Sequence, residues 1–282
     1  MANVIPIIDP ADPRIDAYRD IRERDLVGRA GLFVAEGKVV LSMLLASTAF
    51  RPQSLLVSAR RLASLAAMLA DLPDEIPVYS AAQPVLDAIA GFPLHRGILA
   101  IGQRIETPTA DALLEAMPAE ATMLLLSAIA NHDNLGGIFR NAAGLGAHGV
   151  LIDSDCCDPL YRKALRVSVG TVLSVPFARL PAGEDALALL DRHRFAAIAL
   201  SPRGGVALSR WTPPRRTAIL LGAEGPGLAA ELLARATSVR IPMAAGVDSL
   251  NVATTSGIVL HHVAAARADS AGAPTTEAAP DR

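Results

Sequence analysis

The chain is short of cysteine and of lysine, and it has no long apolar run; each shortage excludes something. Two cysteines, Cys156 and Cys157, stand side by side in 282 residues. A bridge between neighbours is strained, so no disulfide framework is possible. None of the six histidines falls at a metal-ligand spacing from the pair, so no metal site is expected. No run approaches the length of a membrane span, and the opening MANVIPIIDPADPR lacks the basic start and apolar core of a signal peptide. A cytoplasmic protein that does not enter a membrane follows. Lys38 and Lys163 are the only lysines among 26 basic residues. Arginine's planar fork suits phosphates and base stacking, although a GC-rich genome gives the same bias. A formal net charge of -2 argues against a protein coated in positive charge.

What is present is an ordinary globular composition, 51% hydrophobic and 19% charged, at a length that suits two domains. AYRDIRERDLVGR, from Ala17 to Arg29, has a helical pattern carrying Arg19, Arg22 and Arg24. Strand and helix patterns then alternate: LFVAEG, KVVLSMLLAS, SLLVS, RRLASLAAMLADL, IPVYS, QPVLDAIAG and GILAIG. This predicts a small α/β domain over 14–105. A proline-containing connector with one short helix covers 106–120. From 121 to 267 the alternation resumes with TMLLLSAI, a helix over Asn134 to Gly146, GVLI, YRKALRVSVG, VLSVPF, EDALALLDRHR, AAIAL, TAILLG, LAAELLARA, SVRIPM and a helix from about Leu250 to Arg267. Strands this apolar on both faces belong in a parallel sheet covered by helices on either side. The tail 268–282 is small, polar and proline-containing, which predicts disorder.

Gly144, Gly146 and Gly149 have the G-x-G-x-x-G spacing of a dinucleotide loop. That loop needs a strand before the glycines and a helix after them, so that the helix N-terminus meets the pyrophosphate. Here Leu135, Ile138, Phe139, Ala142 and Leu145 mark a helix before, and GVLI a strand after. The glycines therefore close a helix at its negative end, and a dinucleotide is rejected.

Three other stretches place polar or glycine residues at carboxyl ends of apolar strands, where open α/β sheets bind ligands. They are NHDNLGGIFRN from Asn131, LLGAEGPGL from Leu220 and IPMAAGVDSLNVA from Ile241. The second lacks the Lys-Ser/Thr ending of a P-loop. Its glycines permit close backbone approach, and Glu224 either serves a ligand or caps the helix that follows. In the third, Asp248 and Ser249 suit the N-cap of the last helix; Asn251 then falls in its first turn, where a side chain reaching a ligand accounts for it better than helix propensity. His132 beside the first stretch reads as structural.

Together these stretches resemble the motifs of the SpoU (TrmH-type) RNA ribose 2'-O-methyltransferases of the SPOUT class. The first motif resembles Asn134, Gly136 and Arg140, the second Gly222, Glu224, Gly225 and Gly227, the third Ile241, Pro242, Met243, Ser249, Leu250 and Asn251. The sequence departs from the family pattern at Ala223, Ala245 and Ala253. More loosely, the first half resembles the family's substrate-binding domain, which is similar to ribosomal RNA-binding proteins. The resemblance implies an α/β chain whose C-terminal parallel-sheet domain forms a trefoil knot, preceded by a small α/β RNA-binding domain, and a homodimer made through the knot helices. It implies S-adenosylmethionine held by Leu221, Gly222, Glu224, Gly225, Gly227, Ile241, Met243, Ser249 and Leu250. Catalysis would rest on Arg140, Asn134, Glu224, Ser249 and Asn251. The implied activity is methyl transfer to a ribose 2'-hydroxyl of structured RNA, rRNA ahead of tRNA. Arg19, Arg22, Arg24, Arg162, Lys163 and Arg166 are candidates for RNA phosphate contacts. A catalytically silent RNA-binding or ribosome-assembly protein, or a base methyltransferase of the same class, are the competing readings.

Overall fold

The computed structural model describes residues 3–19, 31–91 and 94–271. The expected helical arginines Arg22 and Arg24, and most of the expected disordered tail, lie outside the described residues.

Two sheets organise the chain. The first has the order β1 (Val4–Ile7), β4 (Val78–Ala81), β3 (Phe50–Ser58), β5 (Ile98–Arg104), β2 (Leu32–Glu36). β1, β4 and β3 run parallel, and β5 is antiparallel to both its neighbours. α1 (Lys38–Ala46), α2 (Leu62–Ala70) and α3 (Gln83–Ala90) connect the strands. β1 places the start of this sheet at Val4, ahead of the boundary at residue 14 expected from sequence. Its Pro6 breaks the usual strand signature, but proline is tolerated on an edge strand such as this one. The register of β3 shifts between Pro52 and Ser54, which explains why only its second half reads as a strand.

The second sheet has seven parallel strands in the order β10 (Val206–Ala207), β12 (Thr237–Arg240), β9 (Ala196–Leu200), β11 (Arg216–Gly222), β6 (Ala121–Ser127), β7 (Gly149–Ile152), β8 (Phe177–Arg179). Strand periodicity sends alternate side chains to opposite faces. Leu124 and Leu126 of β6 join one hydrophobic cluster, Met123 and Leu125 another. Ile219 and Leu221 of β11 divide from Ala218 and Leu220 in the same way. α4 (Ala110–Glu115), in the expected connector, buries Leu113 and Leu114 in the second cluster and so packs on this sheet.

The sheets meet through the first cluster, which runs from Phe33 and Val57 to Phe139 and Phe177. α5 (His132–Gly144) starts two residues earlier than its apolar pattern suggests because Asn131 caps it, accepting the Asp133 N–H at 2.8 Å. Its end carries the order helix, glycine, strand. Gly146 has φ +74°, and the Ala147 N–H reaches back to the Ala142 carbonyl at 2.9 Å. α6 (Arg162–Val167) and β8 are shorter than expected, because Val169 and Gly170 take positive φ and a 3-10 turn over Thr171–Leu173 intervenes. α7 (Ala186–Arg192) and α8 (Ala230–Arg235) follow the expected pattern. α9 (Val252–Ala271) runs past the expected end at Arg267. No helix of the described residues is long and apolar enough to cross a membrane.

Two polar contacts tune this core. The Cys156 thiol donates to the Leu126 carbonyl and accepts the Ile129 N–H, both at 3.3 Å, and burial pushes it up to about 12, so it is an inert structural thiol. His148 Nδ1 accepts the Thr122 N–H at 3.1 Å, which requires the unprotonated nitrogen. Burial, followed by the Arg267 charge, holds its pKa below the usual 6.5. A depressed histidine contributes stability above the ordinary range and loses it as pH falls through the folded value. Denaturant unfolding should therefore show stability falling as the pH drops below the ordinary histidine value of 6.5. His148→Gln should flatten that slope, and equal slopes in the two proteins would refute the assignment.

Candidate active site

A cavity of about 470 Å³ opens at the carboxyl ends of β9, β11 and β12. β11 ends at Gly222, and the following turn closes on itself through the Gly227 N–H donating to the Ala223 carbonyl at 3.0 Å. Gly225 and Gly227 take φ +87° and +73°, which favours glycine. A Cβ on Gly222 would lie 2.6 Å from the Gly227 carbonyl oxygen and closer still to the Gly227 carbonyl carbon and Leu228 nitrogen. After β12 the chain leaves regular structure at Ile241, so the strand expected over SVRIPM stops at Arg240. The segment from Ile241 to Asn251 lies across the cavity and supplies Ile241, Met243, Ser249, Leu250 and Asn251 to its wall. Leu221, Gly222, Glu224, Gly225 and Gly227 supply the other side. All nine residues matching the expected cofactor pocket thus surround one cavity.

Asn251 joins the three motifs. Its Nδ2 donates to Asn134 Oδ1 at 2.8 Å and to Glu224 Oε1 at 3.0 Å. Its Oδ1 accepts the Ala253 and Thr254 N–H groups at 3.0 and 3.2 Å. This corrects the sequence reading: Asn251 lies outside the first turn of α9 and is itself the N-cap, while Asp248 and Ser249 precede it in the loop. One amide performs both jobs because its oxygen faces the helix and its nitrogen faces the other motifs. Glu224 does not cap α8; it is engaged with Asn251. Removing the side chain in Asn251→Ala deletes a cap, worth about 1 kcal/mol, and strands the carbonyl of Asn134, a residue only 6% exposed. A buried unpaired acceptor costs about 1–3 kcal/mol. Denaturant unfolding should show a loss of about 2 kcal/mol, and a wild-type midpoint would refute the network.

Arg140 is placed differently. It is exposed on α5, has no hydrogen-bond or ion-pair partner among the described residues, and is not part of the cavity wall. It stands six positions after Asn134 on the helix, about 9 Å along the axis and about a third of a turn around it. Asn141, next to it, donates to the Ala253 carbonyl at 2.7 Å and to Ser256 Oγ at 2.9 Å. α5 and α9 are thereby locked together beside Arg140.

The basic candidates are mostly engaged. The Arg19 guanidinium pairs with Asp16 at 2.9 Å and donates to the Asp12 carbonyl, which commits it to its own turn. Glu36, with 8% of its side chain exposed, lies 3.5 Å from Arg162 and 3.9 Å from Arg166, and Lys163 pairs with Asp133 at 2.7 Å.

Leu200, Ser201, Pro202, Val252 and Thr255 also line the cavity and were not anticipated. The signal for the first three was present, since SPRGG follows the apolar strand AAIAL at a carboxyl end. Gly204 there lets the loop cross β12, as a Cβ would meet the Arg240 nitrogen at 2.7 Å. Among the described residues, no group of three or more His, Cys, Asp or Glu is placed to hold a metal ion.

Comparison with known proteins gives this geometry a family. An uncharacterized tRNA/rRNA methyltransferase of Mycobacterium bovis is 40% identical over 92% of this chain and 91% of its own length. The 23S rRNA (guanosine-2'-O-)-methyltransferase RlmB of Bordetella pertussis is 28% identical over 65% of this chain and 76% of its own. The fold is shared with an AdoMet-bound rRNA methyltransferase from Sinorhizobium meliloti (TM-score 0.78, 24% identity, 92% of this chain and 97% of that one). It is shared also with the SpoU methyltransferase AviRb from Streptomyces viridochromogenes (TM-score 0.76, 22% identity, 92% and 97%). Residues 121–261, which contain all three motifs and the whole cavity, match the SpoU rRNA Methylase family, and the chain belongs to it.

Proposed function

We propose that the protein transfers a methyl group from S-adenosylmethionine to a ribose 2'-hydroxyl of structured RNA, ribosomal RNA in preference to transfer RNA. The observation that carries this reading is the Asn251 amide bridging Asn134 and Glu224 at the rim of a cavity built for a small molecule. About 470 Å³ falls within the roughly 300–1,000 Å³ of small-molecule sites. Backbone crowding at Gly222 makes the turn a close-fitting cradle. Leu221, Ile241, Met243 and Leu250 offer an apolar wall, while Gly222, Gly225 and Gly227 expose backbone to the cofactor. Named relatives that methylate RNA support the substrate class, and RlmB supports ribose chemistry on rRNA.

The cofactor supplies an electrophilic methyl on a sulfonium, already a good leaving group. What the chain must supply is orientation of a weak oxygen nucleophile and stabilisation as its proton leaves. Bound S-adenosylmethionine would supply the methyl carbon to the ribose oxygen and keep the electron pair of the S–CH3 bond as a neutral thioether, and the hydroxyl proton would pass to solvent water. A guanidinium stays protonated at ordinary pH, so Arg140 acts first as a clamp on the ribose and neighbouring phosphate, stabilising the developing alkoxide. Asn251 fixes the Glu224 carboxylate and the Asn134 amide, and Ser249 adds a hydroxyl on the same wall. The passage of Ile241–Asn251 beside the Glu224 turn, followed by the packing of α9 on α5, is consistent with a threaded, knotted C-terminal segment and with a homodimer through these helices.

The deciding experiment maps 2'-O-methyl sites in total RNA from cells with and without the gene. One or more rRNA ribose sites should disappear. Unchanged ribose methylation together with a lost base methylation would overturn the reading. Calorimetric titration separates an enzyme, which binds S-adenosylmethionine, from a silent RNA-binding protein.

A further inference from the structure

A second pocket, about 290 Å³, lies beside the N-terminal end of α5 and is lined by His132, Tyr161, Arg162, Lys163 and Arg166. Three properties set it apart from an ordinary charged surface. The His132 and Tyr161 rings lie 4.3 Å apart and tilted by 36°, a paired aromatic surface at the pocket. His132 Nε2 is buried and has no hydrogen-bond partner, and a nitrogen in that state calls for one. The cations are held by carboxylates: Glu36 lies near Arg162 and Arg166, and Asp133 pairs with Lys163. They are still solvent-facing, with 45% and 52% of the Arg166 and Lys163 side chains exposed.

Such pairing places the donors in advance and keeps the patch from acting as a bulk positive field. Burial, then the Lys163 charge, lowers the His132 pKa, which favours the neutral imidazole that can stack and still offer one N–H. Position supplies the rest. His132 stands two residues before Asn134, so this pocket and the methyl-transfer cavity share one helix end. RNA is recognised by unstacking nucleotides onto aromatic faces while basic side chains hold the backbone.

We propose that this pocket binds a nucleotide of the RNA adjacent to the one methylated, with its base on the His132–Tyr161 pair and its phosphate on Arg162, Lys163 and Arg166. The assignment rests on the RNA methyl-transfer reading above and adds a subsite to it. An aromatic face offers a contact that tolerates any base, so the subsite fixes register and leaves sequence choice to other contacts.

The test uses the full chain, ribosomal RNA purified from cells lacking the gene, and S-adenosylmethionine as a separate ligand. Stacking is worth about 1–3 kcal/mol per base, so His132→Ala and Tyr161→Ala should weaken RNA binding about fivefold to a hundredfold. Tyr161→Phe should retain wild-type affinity. Lys163→Ala, a change at an exposed side chain that keeps the decision open should the ring variants misfold, should reduce the salt slope of RNA binding by about one. Affinity for S-adenosylmethionine should be unchanged in all four. RNA affinities and slopes equal to wild type, with cofactor binding intact, would overturn the subsite alone. Failure of the unsubstituted protein to bind either RNA or cofactor would overturn both the subsite and the reading beneath it.

Discussion

Arg140→Ala is expected to lower single-turnover methyl transfer about a thousandfold while changing S-adenosylmethionine affinity less than about twofold. The split follows from position. Arg140 is exposed and not part of the cavity wall, so truncating it removes no cofactor contact and opens no hole in the core. Its neighbour Asn141, which holds α9, stays in place. On the proposed mechanism, what would be lost is a charged fork that meets the RNA sugar and phosphate only when substrate is bound, and donors aimed at developing charge are worth about a hundred- to a thousandfold each. Arg140→Lys keeps the charge but not the bidentate geometry, and should recover only part of the rate. Equal losses of rate and of cofactor affinity would show that Arg140 supports the cavity and does not clamp the ribose.

The architecture was legible where the hydrophobic period was long. β6 and β11 are buried on both faces and read directly as parallel-sheet strands, and the helix before Gly146 declared itself through Leu135, Ile138, Phe139 and Ala142. Short elements were read too long, because a pattern such as YRKALRVSVG carries no mark of the positive φ at Val169 that ends its helix. β1 was hidden by Pro6, since only its place at a sheet edge makes the proline acceptable. The cavity residues were legible as motifs, but the double use of Asn251 was not. A cap and a bridge demand the same residue type, and only the directions of its oxygen and nitrogen distinguish them. Glu36 was missed for a related reason: at the end of an apolar strand it reads as the start of a turn, and its role depends on arginines more than 120 residues later.

Gly222→Ala should abolish measurable S-adenosylmethionine binding, a loss of about a hundredfold or more, in a chain that still folds. The added methyl group has nowhere to go, because the atoms it meets are backbone of Gly227 and Leu228 and cannot rotate away. Relief requires moving the Ala223–Gly227 turn, whose closing hydrogen bond also sets where Glu224 stands relative to Asn251. The strain of such overpacking is about 1–3 kcal/mol, tolerable for the fold but borne by the backbone that would line the cofactor. Gly225→Ala meets no atom within 4 Å and carries only the cost of its positive φ, so it should bind cofactor measurably, though more weakly. Gly144→Ala tests the discarded dinucleotide fingerprint. It also meets nothing within 4 Å, ends a helix, and should leave cofactor affinity unchanged. A chain in which Gly144→Ala disabled binding and Gly222→Ala did not would place the ligand at the wrong end of α5, and the assignment of the cavity would fall with it.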